Sequence, residues 1–174
     1  MNSNKFLSQE ETEHLQKLLK KNRHDWAALA IELALLTGAR QDEILKLKTS
    51  SLNTKSRSVY ILGSKGSNNR EIPLPSDFFQ ALFEYASNLD TELMFHKSRM
   101  TLRYHWELYR PAKKGMHCLR HTFAVRLFKK TRDIRLVSIA LGHKSIENSM
   151  IYAKYVYSME ELRSSLEGLQ AITI

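Results

Sequence analysis

The 174-residue sequence predicts a mostly α-helical α+β fold carrying one small antiparallel β-hairpin or sheet. Three observations carry that expectation. Segments with apolar residues at helical spacing recur along the chain, and several open on Ser or Asp and close on Gly, the residues that cap helices. A single pair of β-rich runs occurs, SVYILG and REIPL, with the turn-forming GSKGSNN between them. Composition is that of a soluble globular chain, 43% hydrophobic and 26% charged, and the length suffices for one buried core.

Taken in order, Ser8 and Glu11 form a capping box that opens a first amphipathic helix over SQEETEHLQKLLKK. DWAALAIELALLTG has Asp25 as N-cap and Gly38 as its stop, and it is apolar on most faces, so it reads as the central core helix. A short helix follows Arg40 through QDEILKLK, and then comes the hairpin. SDFFQALFEYASNL reads as another capped helix and LMF as a short strand. SRMTLRYHWELYR, MHCLRHTFAVRLFKK, DIRLVSIAL and SIENSMIYAKY read as successive helices. The last, SMEELRSSLEGLQ, sets Met159, Leu162, Leu166 and Leu169 on one stripe. One domain is expected over 1–174, with its core at about 6–155 and residues 156–174 as a tail helix.

No apolar run approaches the ~18 residues of a membrane span, and MNSNKFLSQEE lacks a secretory pattern. Cys118 is the only cysteine, which excludes an internal disulfide and points to a reducing, cytoplasmic setting. The net charge of +9 is unevenly spread. Residues 1–95 hold 12 basic and 12 acidic residues, whereas 96–144 hold 13 basic residues against Glu107 and Asp133, with five of the seven histidines. A basic surplus confined to one stretch points to a polyanionic partner, foremost nucleic acid.

On a wheel of ~100° per residue, the helix in GMHCLRHTFAVRLFKK places Arg120 between Leu127 and Ala124, inside an apolar arc, with His117 near Phe128. A guanidinium aimed inward needs a partner to offset its desolvation. Arg40 stands just past Gly38, at the mouth of the core helix, and His143 follows the Leu141-Gly142 stop of another apolar helix. Singly, each has a plain structural explanation: Arg40 paired with Glu43, His117 a satisfied core histidine, His143 a helix cap. Together, two inward arginines and two histidines at helix ends in a basic chain make a cradle for one phosphate. His121 is near this cradle but points elsewhere on the wheel, so it is expected to be structural or backbone-contacting. Zinc at His117, Cys118 and His121 is set aside, because Cys118 faces away from both histidines and no second ligand pair follows.

The pieces TGARQDEILKLK, HCLRHTFA and LGHKS, with a tyrosine nine residues after His143, closely resemble the tyrosine recombinases of the phage-integrase family. The resemblance runs in the family's order from about Phe6 to Tyr155. It implies a catalytic domain with Arg40 and Arg120 on the phosphate, His117 and His143 beside them, Lys65 in the hairpin turn with Lys48 and Lys55 as substitutes for it, and Tyr152 as nucleophile, with Tyr155 as the next choice. Glu43 falls where the family has an acidic residue supporting the first arginine. The implied reaction is metal-free and ATP-free cleavage and rejoining of double-stranded DNA through a 3′-phosphotyrosine link. The implied assembly is a tetramer on paired sites, with the tail helix a candidate for exchange between protomers. Most of the family carries an N-terminal DNA-clamping domain. Here KFLSQEETEHLQKLL resembles the start of the catalytic domain, so the expectation is an excised fragment or a short member. The competing reading is a non-catalytic regulator, because IRLVSIALGHKSIENSMIYAKY has a helix-turn-helix cast, with Gly142 in the turn and Ser145 capping the second helix.

Overall fold

A computed structural model of the chain describes residues 5–64 and 66–170, with backbone alone for 168–170. Lys65 and the side chain of Leu169 therefore lie outside the described residues. Helix α1 (Gln9–Lys21) starts on the expected capping box, Ser8 accepting from the Glu11 amide and Glu11 accepting from that of Ser8. Helix α2 (Trp26–Thr37) is the axis of the fold, with all but Trp26 and Leu36 buried. Its one charged residue, Glu32, is 5% exposed and is met by both Arg23 Nε and Arg23 Nη2, at 2.9 and 2.6 Å, so the buried carboxylate is neutralised in place.

After α2 the chain makes the short helix α3 (Gln41–Leu45), a 3₁₀ turn at Thr49–Ser51, and a three-stranded antiparallel sheet in the order β1 (Leu52–Asn53), β2 (Ser58–Ile61), β3 (Arg70–Pro73). The hairpin expected from SVYILG and REIPL is the β2–β3 pair, in register Val59 to Ile72 and Ile61 to Arg70. Strand β1 escapes sequence reading because two residues are too few to show alternation. The LMF segment is no strand: Leu93 makes a single bridge to Lys48. Helix α4 (Ser76–Ser87) lacks the side-chain cap expected of it, since Pro75 occupies the cap position and Ser76 Oγ accepts instead from Arg57 Nη1 at 2.9 Å.

The remaining elements are α5 (Arg99–Tyr109), α6 (Cys118–Thr131), α7 (Ile134–Leu141), α8 (Glu147–Ala153) and α9 (Met159–Gln170). Helix α8 begins after Ile146, not on Ser145, although Ser145 Oγ still accepts from the Glu147 amide at 3.3 Å. One apolar cluster surrounds α2 and the sheet, and a second, smaller one joins Ala124, Val125, Phe128, Val137, Leu141 and Tyr152. Phe123 and Leu127 pack against both, so α6 runs along the seam between two cores.

The close of α2 is equally constrained. Gly38 has φ +64°, and a Cβ there would lie 2.6 Å from Phe123 Cδ1 and 2.7 Å from Leu141 Cδ2. Left-handed strain and overpacking then act together. Gly38→Ala is expected to cost about 2–4 kcal/mol, read as a lower urea midpoint at unchanged m-value.

Candidate active site

Arg120 answers the question its wheel position raises. It is 2% exposed, and its Nη1 donates to the Gly38 carbonyl at 2.8 Å while Nη2 donates to the Leu141 carbonyl at 2.9 Å. Those oxygens terminate α2 and α7, where helix dipoles concentrate partial negative charge. The buried cation is thus seated by backbone before any external anion arrives. Burial, then the charges of Arg40 and Arg70, push its guanidinium down to about 10, which still leaves it protonated at neutral pH.

Arg40 sits at the start of α3 with its side chain 30% exposed. The Glu43 carboxylate accepts from the Arg40 amide at 2.8 Å and from Arg40 Nη1 at 3.4 Å. Arg40, Gln41, Met116, His117, Arg120 and Ala39 line a cleft of about 90 Å³. His117 occupies the cap position of α6 and reaches solvent. Desolvation, then the positive charges of Arg120 and Arg40, hold its imidazole below the usual histidine range.

His143 follows Gly142, whose φ of +67° closes α7. Its Nδ1 lies 2.7 Å from Ser149 Oγ, and Ser149 is fully buried. This fixes one ring nitrogen. Burial, then Arg120, Arg40 and Arg70, push the His143 ring down to about 4, so it is neutral at pH 7. The β2–β3 turn is pinned onto the same place, the Asn68 amide donating to the Gly142 carbonyl at 2.7 Å. The loop that carries Lys65 is thereby tied to the His143 turn at Asn68, while Lys65 itself is outside the described residues.

Tyr152 lies on α8, 2% exposed, and its hydroxyl has no hydrogen-bond partner among the described residues. Burial raises its hydroxyl above the usual phenol range, opposed by Arg120 and Arg40 and reinforced by Tyr155. The neighbouring tyrosines have packing roles. Tyr155 meets Phe6 edge-on at 5.2 Å, and Tyr157 meets Phe128 at 5.7 Å beneath the guanidinium of Arg132. Arg120 and Arg40 both act on the Tyr152 hydroxyl.

His121 lies on the His117 side of α6. Four residues after His117, it falls only ~40° further round the helix, and its ring lies 4.7 Å from that of His117 and 5.7 Å from that of Tyr152. Burial, then His117, Lys5 and Arg120, push it down to about 4, and its buried Nδ1 has no partner among the described residues. Two further residues went unread in the sequence, Ser149 and Arg70. The signals were present: Ser149 is one helical turn before Tyr152, and β3 alternates inward Arg70, outward Glu71, inward Ile72.

His121 and His143 imply a pH dependence. Both rings have folded-state values near 4, below the ~6.5 of an exposed imidazole, so the unfolded chain binds more protons between those limits. Stability is therefore present above about pH 6.5 and is lost as pH falls toward 4, with a slope of about 1 kcal/mol per pH unit for each ring. Urea titrations at pH 7, 6 and 5 check this, and His121→Gln is expected to flatten the slope.

Among the described residues no cluster of His, Cys, Asp or Glu is placed to hold a metal ion, and no helix is long and apolar enough to cross a membrane. Comparison with solved structures gives the class: the fold is that of tyrosine-recombinase catalytic domains. The XerH site-specific recombinase, solved bound to a palindromic difH substrate as a post-cleavage complex, superposes with a TM-score of 0.76 at 25% identity, covering 93% of this chain and 52% of that one. The XerA recombinase gives 0.71 at 24% identity over 97% of this chain and 66% of that one. Residues 5–159 match the Phage integrase family, and the chain belongs to it. The tyrosine recombinase XerA of Pyrococcus furiosus is 28% identical over 184 residues, spanning 95% of this chain, and the match covers 64% of that relative's length.

Proposed function

We propose that this chain is the strand-cleaving and rejoining domain of a site-specific DNA recombinase, a single catalytic domain with α9 as its tail. The observation that carries this reading is the convergence of Arg40, His117 and Arg120 on one small cleft, with Tyr152 in the field of the same two guanidinium groups. The Tyr152 oxygen attacks a backbone phosphorus of duplex DNA, the P–O5′ bond breaks, and a 3′-phosphotyrosine forms. Negative charge growing on the non-bridging oxygens is met by Arg40 and Arg120, both set in place beforehand. His143 starts neutral and His117 is held below the usual histidine range, and both become more basic as the phosphate arrives, which suits them to take and return the hydroxyl proton. Lys65 is the proposed acid for the departing 5′ oxygen.

The charge pattern supports DNA as partner, and α9 supports assembly on it. Met159, Leu162 and Leu166 are 78%, 50% and 43% exposed, a bare apolar face suited to a neighbouring protomer in a tetramer on paired sites. A regulator that only binds DNA has no use for a tyrosine under two buried or braced arginines. The test is incubation with nicked duplexes of randomised sequence, then denaturing electrophoresis. A covalent protein–DNA adduct that persists in chelator supports the reading; binding without adduct at any sequence favours the regulator.

A further inference from the structure

Arg70 is a buried cation that the reaction above does not use. Its side chain is 3% exposed, and Nη2 donates to Glu43 Oε2 at 2.8 Å. Its Nε and Nη1 are buried with no partner among the described residues. As a fold staple this is poor. One acceptor does not offset the desolvation of a guanidinium, and an apolar side chain of similar length would stabilise the core better. The charge must do something else.

What it touches indicates what. Glu43 is fully buried at its side chain and collects the Arg40 amide, Arg40 Nη1, Arg70 Nη2 and the Ser64 amide. Two cations from different elements thus share one carboxylate: Arg40 at the start of α3, facing the cleft, and Arg70 at the start of β3, behind it. Arg70 also backs the His143 turn, where a Cβ on Gly142 would come within 3.2 Å of Arg70 Nη1. Glu43 is buried deeply enough that desolvation alone would raise its carboxyl, and the Arg70 hydrogen bond leads the contacts that instead hold it below the usual carboxylate range.

We infer that Arg70 is a positioning residue, clamping Glu43 so that Glu43 in turn aims Arg40 into the cleft. The inference rests on the proposed strand-cleavage reading, since it assigns Arg70 a part in that same site. Without Arg70 the desolvated carboxyl has only the Arg40 contacts and the Ser64 amide left, so it takes up a proton and stops bracing Arg40. The other charged and titratable groups around this point are Arg120 and His117 from α6 and His143 from the turn after α7. Arg120 and His143 both lose a neighbouring positive charge when Arg70 is removed, which raises their proton affinity.

The test compares wild type, Arg70→Met, Arg70→Lys and the double variant Glu43→Gln/Arg70→Met. The first readout is the Glu43 carboxyl carbon by NMR between pH 5 and 9, which requires no DNA. The second is the rate of covalent-adduct formation on the randomised nicked-duplex pool between pH 6 and 9. In wild type Glu43 stays ionised throughout. In Arg70→Met it titrates within the range, and the adduct rate relative to wild type falls about tenfold per pH unit below that midpoint and recovers above it. Arg70→Lys keeps the charge and shows a smaller loss. The double variant, with both buried charges gone, folds but stays slow at every pH, and any slope it retains belongs to His117 or His143. An unmoved Glu43 titration in Arg70→Met, or an even loss of rate at all pH values, overturns the inference and leaves Arg70 a packing residue. No adduct from wild type overturns the strand-cleavage reading instead, and the carboxyl titration still decides whether Arg70 holds Glu43.

Discussion

Arg120→Ala is expected to abolish covalent-adduct formation and to destabilise the chain at the same time. The first effect follows from its place in the cleft: loss of one preorganised cation facing the phosphate costs a factor of about 10² to 10³ or more in cleavage. The second follows from its two backbone bonds. Removing the guanidinium strands the Gly38 and Leu141 carbonyls, both bonded to it from inside the core, and opens a cavity at the seam of the two clusters. Each buried acceptor left unmade costs about 1–3 kcal/mol, partly offset by relief of repulsion from Arg40 and Arg70. A net loss of about 2–4 kcal/mol in urea unfolding is the expected sum. Arg120→Lys retains the charge but cannot span both carbonyls, so it is expected to recover part of the stability and little of the rate. Full retention of stability in Arg120→Ala would show that the two carbonyl bonds do not hold α2 against α7.

This double role marks the limit of what the sequence disclosed. The helical wheel identified Arg120 as a guanidinium aimed into apolar surroundings, and the charge distribution suggested phosphate as its partner. The partners it has in the folded chain are main-chain oxygens 82 and 21 residues away, and any residue type can offer those, so no side-chain pattern announces them. The boundary signals were better: Ser8, Asp25, Gly38 and Gly142 cap where their chemistry requires. Ser76 and Ser145 failed as cap signals because each side chain found a different use or register. In the site, Arg40 beside Glu43, His117, Arg120 and His143 were legible from spacing, and the structure brings them around one place. Arg70 was overlooked although the alternation of β3 marks it as inward, because an arginine at a strand end is ordinarily solvated. Only the pairing of Ile61 with Arg70, which sets the strand's inward face, turns it toward Glu43.

Tyr152→Phe is the complementary experiment, because it separates chemistry from stability where Arg120→Ala moves both. The hydroxyl is the proposed nucleophile, so its loss removes the adduct completely on every duplex in the pool. The ring itself belongs to the smaller apolar cluster with Phe128, Val137 and Leu141, and Phe keeps that packing. Since the hydroxyl has no hydrogen-bond partner among the described residues, its removal breaks no bond, and the urea midpoint is expected to stay within about 0.5 kcal/mol of the parent or to rise. Tyr155→Phe and Tyr157→Phe serve as controls, their rings being engaged with Phe6 and Phe128, and both are expected to retain the adduct. An adduct that survives Tyr152→Phe and disappears in Tyr155→Phe moves the nucleophile one turn along the chain. It would also require Tyr155 to leave Phe6 and turn toward Arg120. The geometry favours Tyr152, since Arg120 and Arg40 already act on its hydroxyl against the burial that raises it.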